Sequence, residues 1–296
     1  MAENLMLHCK TTPGVGDFMY ALNKAFMMGR NIGMEYPITF HWKHNQDHLH
    51  HFEDPETIIE RFEYLLPLYR DYQKWDIQHT FNSYHSDDLE RKRFIVSDEL
   101  RNYTNSSMAK VERMWQEWTF NDYFDKETKK VVIWRTLFNA ETPRAWKRLV
   151  TNDEWDNAID ILQSLGYHVE EISYRTPVRE AHYHIKTCEF VVCYDGMWHY
   201  IAKNYWKPMI VASRSGITKV HTPHALMLNE GIDKGTVEKF GVPKWHSKHD
   251  NRDFLTQLKK LHTPCPEYGG KTTKEFISAK ALKYKKLFED WYATCK

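Results

Sequence analysis

The chain has 296 residues, of which 42% are hydrophobic and 27% are charged, and its formal net charge is +1. This length suits two domains of ordinary size and exceeds what one small core needs. No apolar run approaches the roughly 20 residues that cross a bilayer. The first ten residues lack the basic and apolar regions of a secretion signal. These features predict a soluble, cytoplasmic protein and argue against a membrane-spanning or secreted one.

The cysteines are few and scattered along the chain. They are Cys9, Cys188, Cys193, Cys265 and Cys295. Their odd number and the absence of a C-x-x-C pair indicate reduced thiols, not a disulfide or zinc framework.

Charge is distributed unevenly. Residues 41–90 contain 4 Lys/Arg and 11 Asp/Glu, whereas residues 244–296 contain 12 Lys/Arg and 6 Asp/Glu. A basic region fits an anionic partner such as nucleic acid or a phosphorylated glycan. A solvated helix face explains it equally well and is the simpler interpretation.

The first half of the chain opens on an apolar strand at 4–9, followed by 14-GVGD-17 and an amphipathic helix. The glycines Gly14 and Gly16 permit a sharp turn and close approach of another group. Asp17 then lies at the start of the helix, where it is either an N-cap or a ligand-binding residue. Further strands are predicted at 37–42 and 93–97, and helices at 55–69 and 108–118.

The second half begins after the charged segment 121–130 and alternates strands with helices. Strands are predicted at 131–136, 167–173, 189–194 and 208–213, and helices at 154–166, 178–188, 197–205 and 272–295. Such alternation with short connections is typical of an α/β fold with a parallel sheet covered on both faces. We expect domains at 1–127 and 128–266, and a C-terminal helix at 267–296 that packs back on the first domain.

Three segments resemble a known family. Residues 14-GVGDFMYALNKAF-26 look like the G-x-G-D start of the heptosyltransferase-like glycosyltransferases (family 9). Residues 186–211 are similar to the second-domain signature of that family, in which a strand ends in D-S/T-G-x-x-H and a helix and K-P follow. Residues 131–147 resemble the first strand and loop of the same domain. The resemblance implies the GT-B fold, in which two Rossmann-like domains face each other across a cleft.

The resemblance also implies roles for individual residues. Asp17 matches a general base for the acceptor hydroxyl, and Arg144 a cation for the donor phosphates. The G-x-x-H turn that receives the diphosphate corresponds to Gly196, Met197 and His199. We assign further donor contacts to Gly14, Gly16, Arg135, Thr136, Lys147, Asp195 and Trp198.

The sequence departs from the family pattern at two places. Its carboxylate Asp195 stands one position later than in the family, so it binds a sugar or ribose hydroxyl or only caps the helix. Trp134, Arg135 and Thr136 replace the family's H-P-G segment. Trp198 stacks on a ring of the donor or fills the core, and His199 binds phosphate or packs the helix.

The physical chemistry of nucleotide sugars agrees with this reading. Without a metal, helix N-termini and cations must stabilise the negative charge that gathers on the leaving diphosphate. Arg135, Arg144, Lys147 and His199 are available for this purpose. A single base opposite the leaving group implies inversion at the sugar carbon.

The segment 41-HWKHNQDHLHH-51 contains five histidines and could form a metal site. No strand or helix pattern directs three of them toward one point. Acceptor contact or solvent exposure is therefore the preferred interpretation, and we predict neither a metal nor another cofactor.

The sequence thus predicts an inverting, metal-independent glycosyltransferase that uses a nucleotide-diphosphate sugar, with UDP as the expected nucleotide. The favoured acceptor is a hydroxymethylated base in phage DNA, and a lipopolysaccharide or other surface glycan is the alternative. A non-catalytic nucleotide- or sugar-binding module is a third possibility. A dinucleotide-dependent oxidoreductase fits poorly, because the G-V-G-D motif lacks the third glycine.

Overall fold

The chain divides into two compact units. The first comprises residues 1–123 and 290–296, and the second residues 124–289. The computed structural model describes residues 5–9, 15, 16, 19, 23, 38–42, 55–70, 78–80, 94–96, 129–135, 152–194, 196–212, 225–228 and 252–294.

The first unit contains a four-stranded parallel sheet. In chain order its strands are β1 (Leu5–Cys9), β2 (Ile38–Trp42), β3 (Gln78–Thr80) and β4 (Phe94–Val96). They are arranged in space as β3-β2-β1-β4, and every pair is parallel.

Helix α1 (Pro55–Leu65) follows β2 and continues into a short 3-10 turn at Leu66–Leu68. Pro67 has no backbone N–H to continue the α-helical pattern, which explains the change at this point. The apolar side chains of Phe62, Leu65 and Tyr69 are buried. The sequence therefore predicted this helix at the correct place.

Between β1 and β2 the structure describes four residues, and all of them are helical and buried: Val15, Gly16, Met19 and Asn23. Their spacing places one face of this helix against the interior. Gly16 was predicted as a turn glycine, and this expectation is corrected, because the backbone is already helical at Val15.

The second unit contains a five-stranded parallel sheet with helices along the chain between its strands. The strands are β5 (Lys130–Trp134), β6 (His168–Ile172), β7 (Phe190–Tyr194), β8 (Met209–Ala212) and β9 (Leu226–Leu228). The helices are α2 (Asn152–Ser164), α3 (Val178–Thr187), α4 (Met197–Asn204), α5 (Arg252–Lys259) and α6 (Thr273–Thr294). The order in space is β6-β5-β7-β8-β9.

The core of this unit is built on β5, β7 and β8. Every residue of these three strands is buried, and their sequences are KVVIW, FVVCY and MIVA. Continuous apolar runs of this kind belong to parallel strands covered on both faces. The α/β class predicted from the sequence is therefore confirmed, whereas the GT-B arrangement of the two units stays a prediction.

Defined backbone motifs end α2 and begin α6. Gly166 adopts a left-handed φ of 83°, and the N–H groups of Gly166 and Tyr167 donate to the carbonyls of Gln163 and Leu162. This is a Schellman motif, which glycine favours. At α6, the hydroxyl of Thr272 accepts from the Glu275 N–H, and the Glu275 carboxylate accepts from the Thr272 N–H.

Helix α6 contacts the rest of the second unit from Lys274 to Phe288. Lys274 Nζ lies 2.9 Å from the buried Glu189 carboxylate, and Lys280 Nζ donates to the carbonyl of Ala225 at 2.8 Å. Phe288 packs on Trp206 with ring centroids 5.6 Å apart. The division of the chain into units falls within this helix, since residues from Asp290 onward belong to the first unit.

Three elements were not predicted: β3, β9 and α5. Among the described residues, no helix is long and apolar enough to cross a membrane. Cys188, Cys193 and Cys265 are buried, and no disulfide joins them.

Candidate functional site

The second sheet reverses its strand order between β5 and β7. The chain passes from β5 to β6 on one side and then returns to place β7 on the other side of β5. In open parallel sheets the crevice at such a switch point, outside the carboxyl ends of the strands, is where ligands bind. Trp134 pairs with Cys193 in the register, so β5 and β7 end side by side. The predicted donor-site residues Arg135 and Gly196 follow these two strand ends.

The ring of Trp134 packs directly against Gly196. A Cβ atom added to Gly196 would lie 3.0 and 3.1 Å from Cζ3 and Cζ2 of this indole, and would overlap its Cη2. Only glycine fits this position while Trp134 keeps its place. The predicted role of Gly196 in the diphosphate turn stays a prediction, and the sequence did not indicate that an indole approaches it.

Helix α4 begins immediately after this contact. Gly196 is its N-cap, and the Gly196 carbonyl accepts the first helical bond, from the Tyr200 N–H at 3.2 Å. No side-chain cap from the described residues occupies this end. The N–H groups of a first helical turn have no acceptor within the helix, and the helix dipole adds a partial positive charge there. This end of α4 is therefore suited to an anion.

The start of α4 is also bonded to the end of β6. The indole N–H of Trp198 donates to the carbonyl of Ser173 at 3.0 Å. Trp198 is 1% exposed, so its ring faces are covered by protein. Of the two readings of Trp198, the structure favours the packed residue over the stacking surface.

Two further members of the predicted turn differ in exposure. His199 is buried, and its ring meets Tyr200 edge-on with centroids 5.1 Å apart. Met197, the first residue of α4, is half-buried. The phosphate role of His199 stays a prediction.

Arg135 is held by two carboxylates. Its Nη1 lies 2.5 Å from Asp156 of α2, and its Nε lies 2.8 Å from Glu171 of β6. Burial lowers the pKa of Arg135, but the bonds to Asp156 and Glu171 outweigh this effect and the pKa is raised. The guanidinium therefore stays charged, and any donor phosphate would share it with these two groups.

The first sheet has a switch point of its own. Its order β3-β2-β1-β4 places the reversal between β1 and β4. The G-V-G-D motif follows β1 in the chain, and Gly16 within it is helical and buried. The first motif thus stands in the chain position at which α/β sheets bind ligands.

Several predicted site residues lie outside the described residues, and their roles stay predictions. These are Gly14, Asp17, Thr136, Arg144, Lys147 and Asp195, with the histidine segment beyond Trp42. Among the residues that are described, no group of three or more His, Cys, Asp or Glu is arranged to hold a metal ion.

Four residues at the switch point were not assigned to the site from the sequence. Trp134, Asp156, Glu171 and Ser173 contact the assigned residues Gly196, Arg135 and Trp198. Trp134 and Ser173 stand at strand ends, and this position could have identified them as site candidates in the sequence. Asp156 and Glu171 carry no such signal, because their partner becomes evident only once the strands are paired.

No protein-family profile matches the chain, and no curated protein matches its sequence. Two solved structures are similar to it at 12% sequence identity. One is the bacterial iron-containing dodecameric glycosyltransferase TibC from enterotoxigenic E. coli H10407, with a TM-score of 0.49 over 97% of this chain and 77% of that chain. The other is the dodecameric iron-containing heptosyltransferase TibC in complex with ADP-D-β-D-heptose, with a TM-score of 0.48 over 95% and 77%.

Proposed function

We propose that the chain is a glycosyltransferase that moves a sugar from a nucleotide-diphosphate sugar to a hydroxyl acceptor. One observation carries the proposal. The segment 194–199, which resembles the diphosphate-binding turn of the heptosyltransferase-like family, begins a helix at the switch point of a five-stranded parallel sheet. Sequence motif and fold position thus agree on the same residues. The proposal includes the GT-B arrangement of the two units.

The donor side of the proposed reaction must stabilise a leaving diphosphate. The start of α4 offers N–H groups and a positive helix end, which suit phosphate oxygens. Arg135 adds a cation at the neighbouring strand end, partly neutralised by Asp156 and Glu171. For this reason the proposal assigns the main phosphate charge to Arg144 and Lys147 and a supporting role to Arg135.

Asp17 is the proposed general base. In the proposed step the acceptor oxygen attacks the anomeric carbon, and the bond from that carbon to the phosphate oxygen breaks. The nucleoside diphosphate leaves with the electron pair, and the acceptor proton passes to the Asp17 carboxylate. A direct displacement of this kind inverts the anomeric centre and, as proposed, uses no metal ion.

The proposed acceptor is a hydroxymethylated base in phage DNA, which places the reaction in the host cytoplasm. The basic C-terminal region supports this choice, since phosphate backbones are bound through lysine and arginine. Within that region Lys283 and Lys286 are exposed on α6. A surface glycan is the competing acceptor.

The test measures transfer directly. We expect the purified chain to add the mass of one sugar to hydroxymethylated DNA, when UDP-, ADP- and GDP-sugars are supplied in turn. We expect Asp17→Asn to lower this rate by about a hundredfold or more, the usual contribution of a general base, with an unchanged circular dichroism spectrum. Glu267→Gln removes an exposed carboxylate at another place and is the matched control.

Each other outcome has a definite meaning. If sugar is added only to surface glycan, the acceptor is a glycan instead of DNA, and the proposed glycosyltransferase reaction stands. Donor binding without hydrolysis or transfer indicates a binding module. Full activity of Asp17→Asn removes Asp17 from the mechanism, and the absence of any nucleotide-sugar binding contradicts the proposal.

A further inference from the structure

Two tryptophans hold the start of α4 through separate contacts. Trp134, at the end of β5, fills the space over Gly196. Trp198, in the first turn of α4, donates its indole N–H to the Ser173 carbonyl at 3.0 Å. The start of α4, which follows β7 in the chain, therefore contacts the ends of β5 and β6.

The loop that receives the Trp198 hydrogen bond is itself well ordered by bonds. The Ser173 N–H donates to Thr176 Oγ1 at 2.8 Å, and Ser173 Oγ accepts from the Arg175 N–H at 3.1 Å. The Ser173 carbonyl also accepts from the Thr176 N–H at 3.1 Å, so it is part of a hydrogen-bonded turn. The indole of Trp198 thus connects the first turn of α4 to this turn.

We infer that Trp134 and Trp198 are positioning residues, which hold the first-turn N–H groups of α4 in the orientation that binds the diphosphate of the donor. This inference rests on the proposed function. Neither indole needs to touch the ligand, because both act through the backbone of residues 196–198. Such groups stabilise charge best when they are oriented before the ligand arrives, since no reorganisation is then needed.

The chain provides a matched control for Trp198. Trp155 in α2 is also fully buried and packs edge-on against Phe254 with centroids 5.0 Å apart. Its indole N–H has no hydrogen-bond acceptor among the residues that the structure describes. Replacing Trp155 by Phe therefore removes the same atoms from a core as Trp198→Phe, but no bond to a strand end.

The experiment measures the affinity of UDP, ADP and GDP for the full chain by titration calorimetry, at a temperature at which every variant is folded. We expect Trp198→Phe to weaken the tightest of these ligands about threefold to tenfold, the worth of one hydrogen bond. We expect Trp155→Phe to leave that affinity unchanged, although both variants unfold at a lower temperature than the wild type.

A second set of variants tests Trp134 through its contact with Gly196. Gly196→Ala should weaken binding about tenfold or more, because the added methyl group overlaps the indole. Trp134→Ala removes the indole that the added methyl group would overlap. The double variant Trp134→Ala, Gly196→Ala should therefore bind the nucleotide more tightly than the product of the losses in the two single variants predicts.

These outcomes separate the inference from the proposed function. If the wild type binds none of the three nucleotides, the proposed function is contradicted. If the wild type binds but Trp198→Phe binds equally well, or Trp155→Phe weakens binding to the same degree, the positioning role is contradicted and the proposed function stands. Additive losses at Gly196 and Trp134 would likewise contradict the role of Trp134.

Discussion

Arg135 carries its positive charge between two carboxylates of different exposure. The side chain of Asp156 is 60% exposed, whereas that of Glu171 is 35% exposed. These two bonds connect the residue after β5 to β6 and α2, and they partly neutralise its charge. Its partners therefore control how strongly it attracts an anion.

Replacing Asp156 by Asn should tighten nucleoside-diphosphate binding. The change removes one competitor for Arg135, and an ion pair near the surface is worth about 0.2–1 kcal/mol, which corresponds to an increase in affinity of about 1.4- to fivefold. Titration at low and high salt measures the effect, which we expect to shrink as salt increases. Glu267→Gln changes the net charge equally and should have no effect. Unchanged affinity in Asp156→Asn would mean that Arg135 does not contact the ligand.

At this scale the sequence indicated where the special residues lie but not what they contact. Gly196 and Arg135 follow apolar strands, which is visible in the sequence. The indole over Gly196 and the carboxylates beside Arg135 depend on the register of β5 against β7 and β6. Register is a property of the paired sheet, and a single strand does not specify it.

At the level of elements, α6 is stabilised at its first turn by a capping box. Thr272 and Glu275 bond to each other's backbone N–H groups at 3.1 and 2.8 Å. The pKa of Glu275 is lowered, first by the backbone N–H of Thr272 and then by its hydroxyl. The ionised carboxylate is therefore the form that the folded helix prefers.

We expect Thr272→Ala to lower the free energy of unfolding by about 1 kcal/mol, as is usual for the loss of an N-cap. Chemical denaturation at neutral pH measures this change. Ser278→Ala, a substitution inside the same helix, is the control and should have little effect. A Thr272→Ala chain as stable as the wild type would show that the packing of α6 alone holds its first turn.

The lowered pKa of Glu275 gives this cap a defined pH dependence. Because the pKa is lower in the folded state, the contribution is complete above the pKa of the unfolded chain and is lost as the pH falls through the folded value. The stability difference between the wild type and Glu275→Ala should therefore be constant near neutral pH and decrease below about pH 4.5. Denaturation at a series of pH values measures it, and a difference that persists in acid would contradict this account.

Elements with strong local patterns were predicted, and those without were not. β5, β7 and β8 are continuous apolar runs, and α2 ends at a glycine. β3 has the sequence QHT, β9 has three residues, and α5 has eight. β3 and β9 are defined by pairing with a neighbouring strand, and three residues give little periodicity to detect. Helix α5 was missed although its short sequence is amphipathic.

For the molecule as a whole, four of the five lysines of α6 form two groups. Lys274 and Lys280 are bonded to Glu189 and to the Ala225 carbonyl. Lys283 and Lys286 are exposed and lie one turn apart on the helix. If the acceptor is DNA, we expect the second group to contact its phosphates.

If the acceptor is DNA, the double substitution Lys283→Gln and Lys286→Gln should weaken duplex binding and lower its dependence on salt. Two lost phosphate contacts reduce the slope of log K against log salt by about 2. Filter binding or fluorescence anisotropy at several salt concentrations measures the slope. Lys259→Gln with Lys260→Gln removes the same charge from the exposed end of α5 and should change it less. Binding that does not depend on salt would favour the glycan acceptor.

The strand orders could not be read from the sequence. Alternating strands and helices indicate parallel sheets, and this was confirmed in both units. Whether β7 pairs with β5 or with β6 is decided by which faces the helices cover, so the two switch points emerge only from the fold. The motif at 194–199 could therefore be found by resemblance, but the crevice beside it could not.

The neighbours at the switch point of the second sheet are distant in the chain, since β5 pairs with β7 across about 60 residues that include β6, α2 and α3. Closing so long a loop is slow compared with forming a local helix or turn. We therefore expect the region around Gly196 to mature late during refolding, after α2 and α3 have formed. A ligand that binds near Gly196 would therefore bind only to molecules in which β5 has already paired with β7.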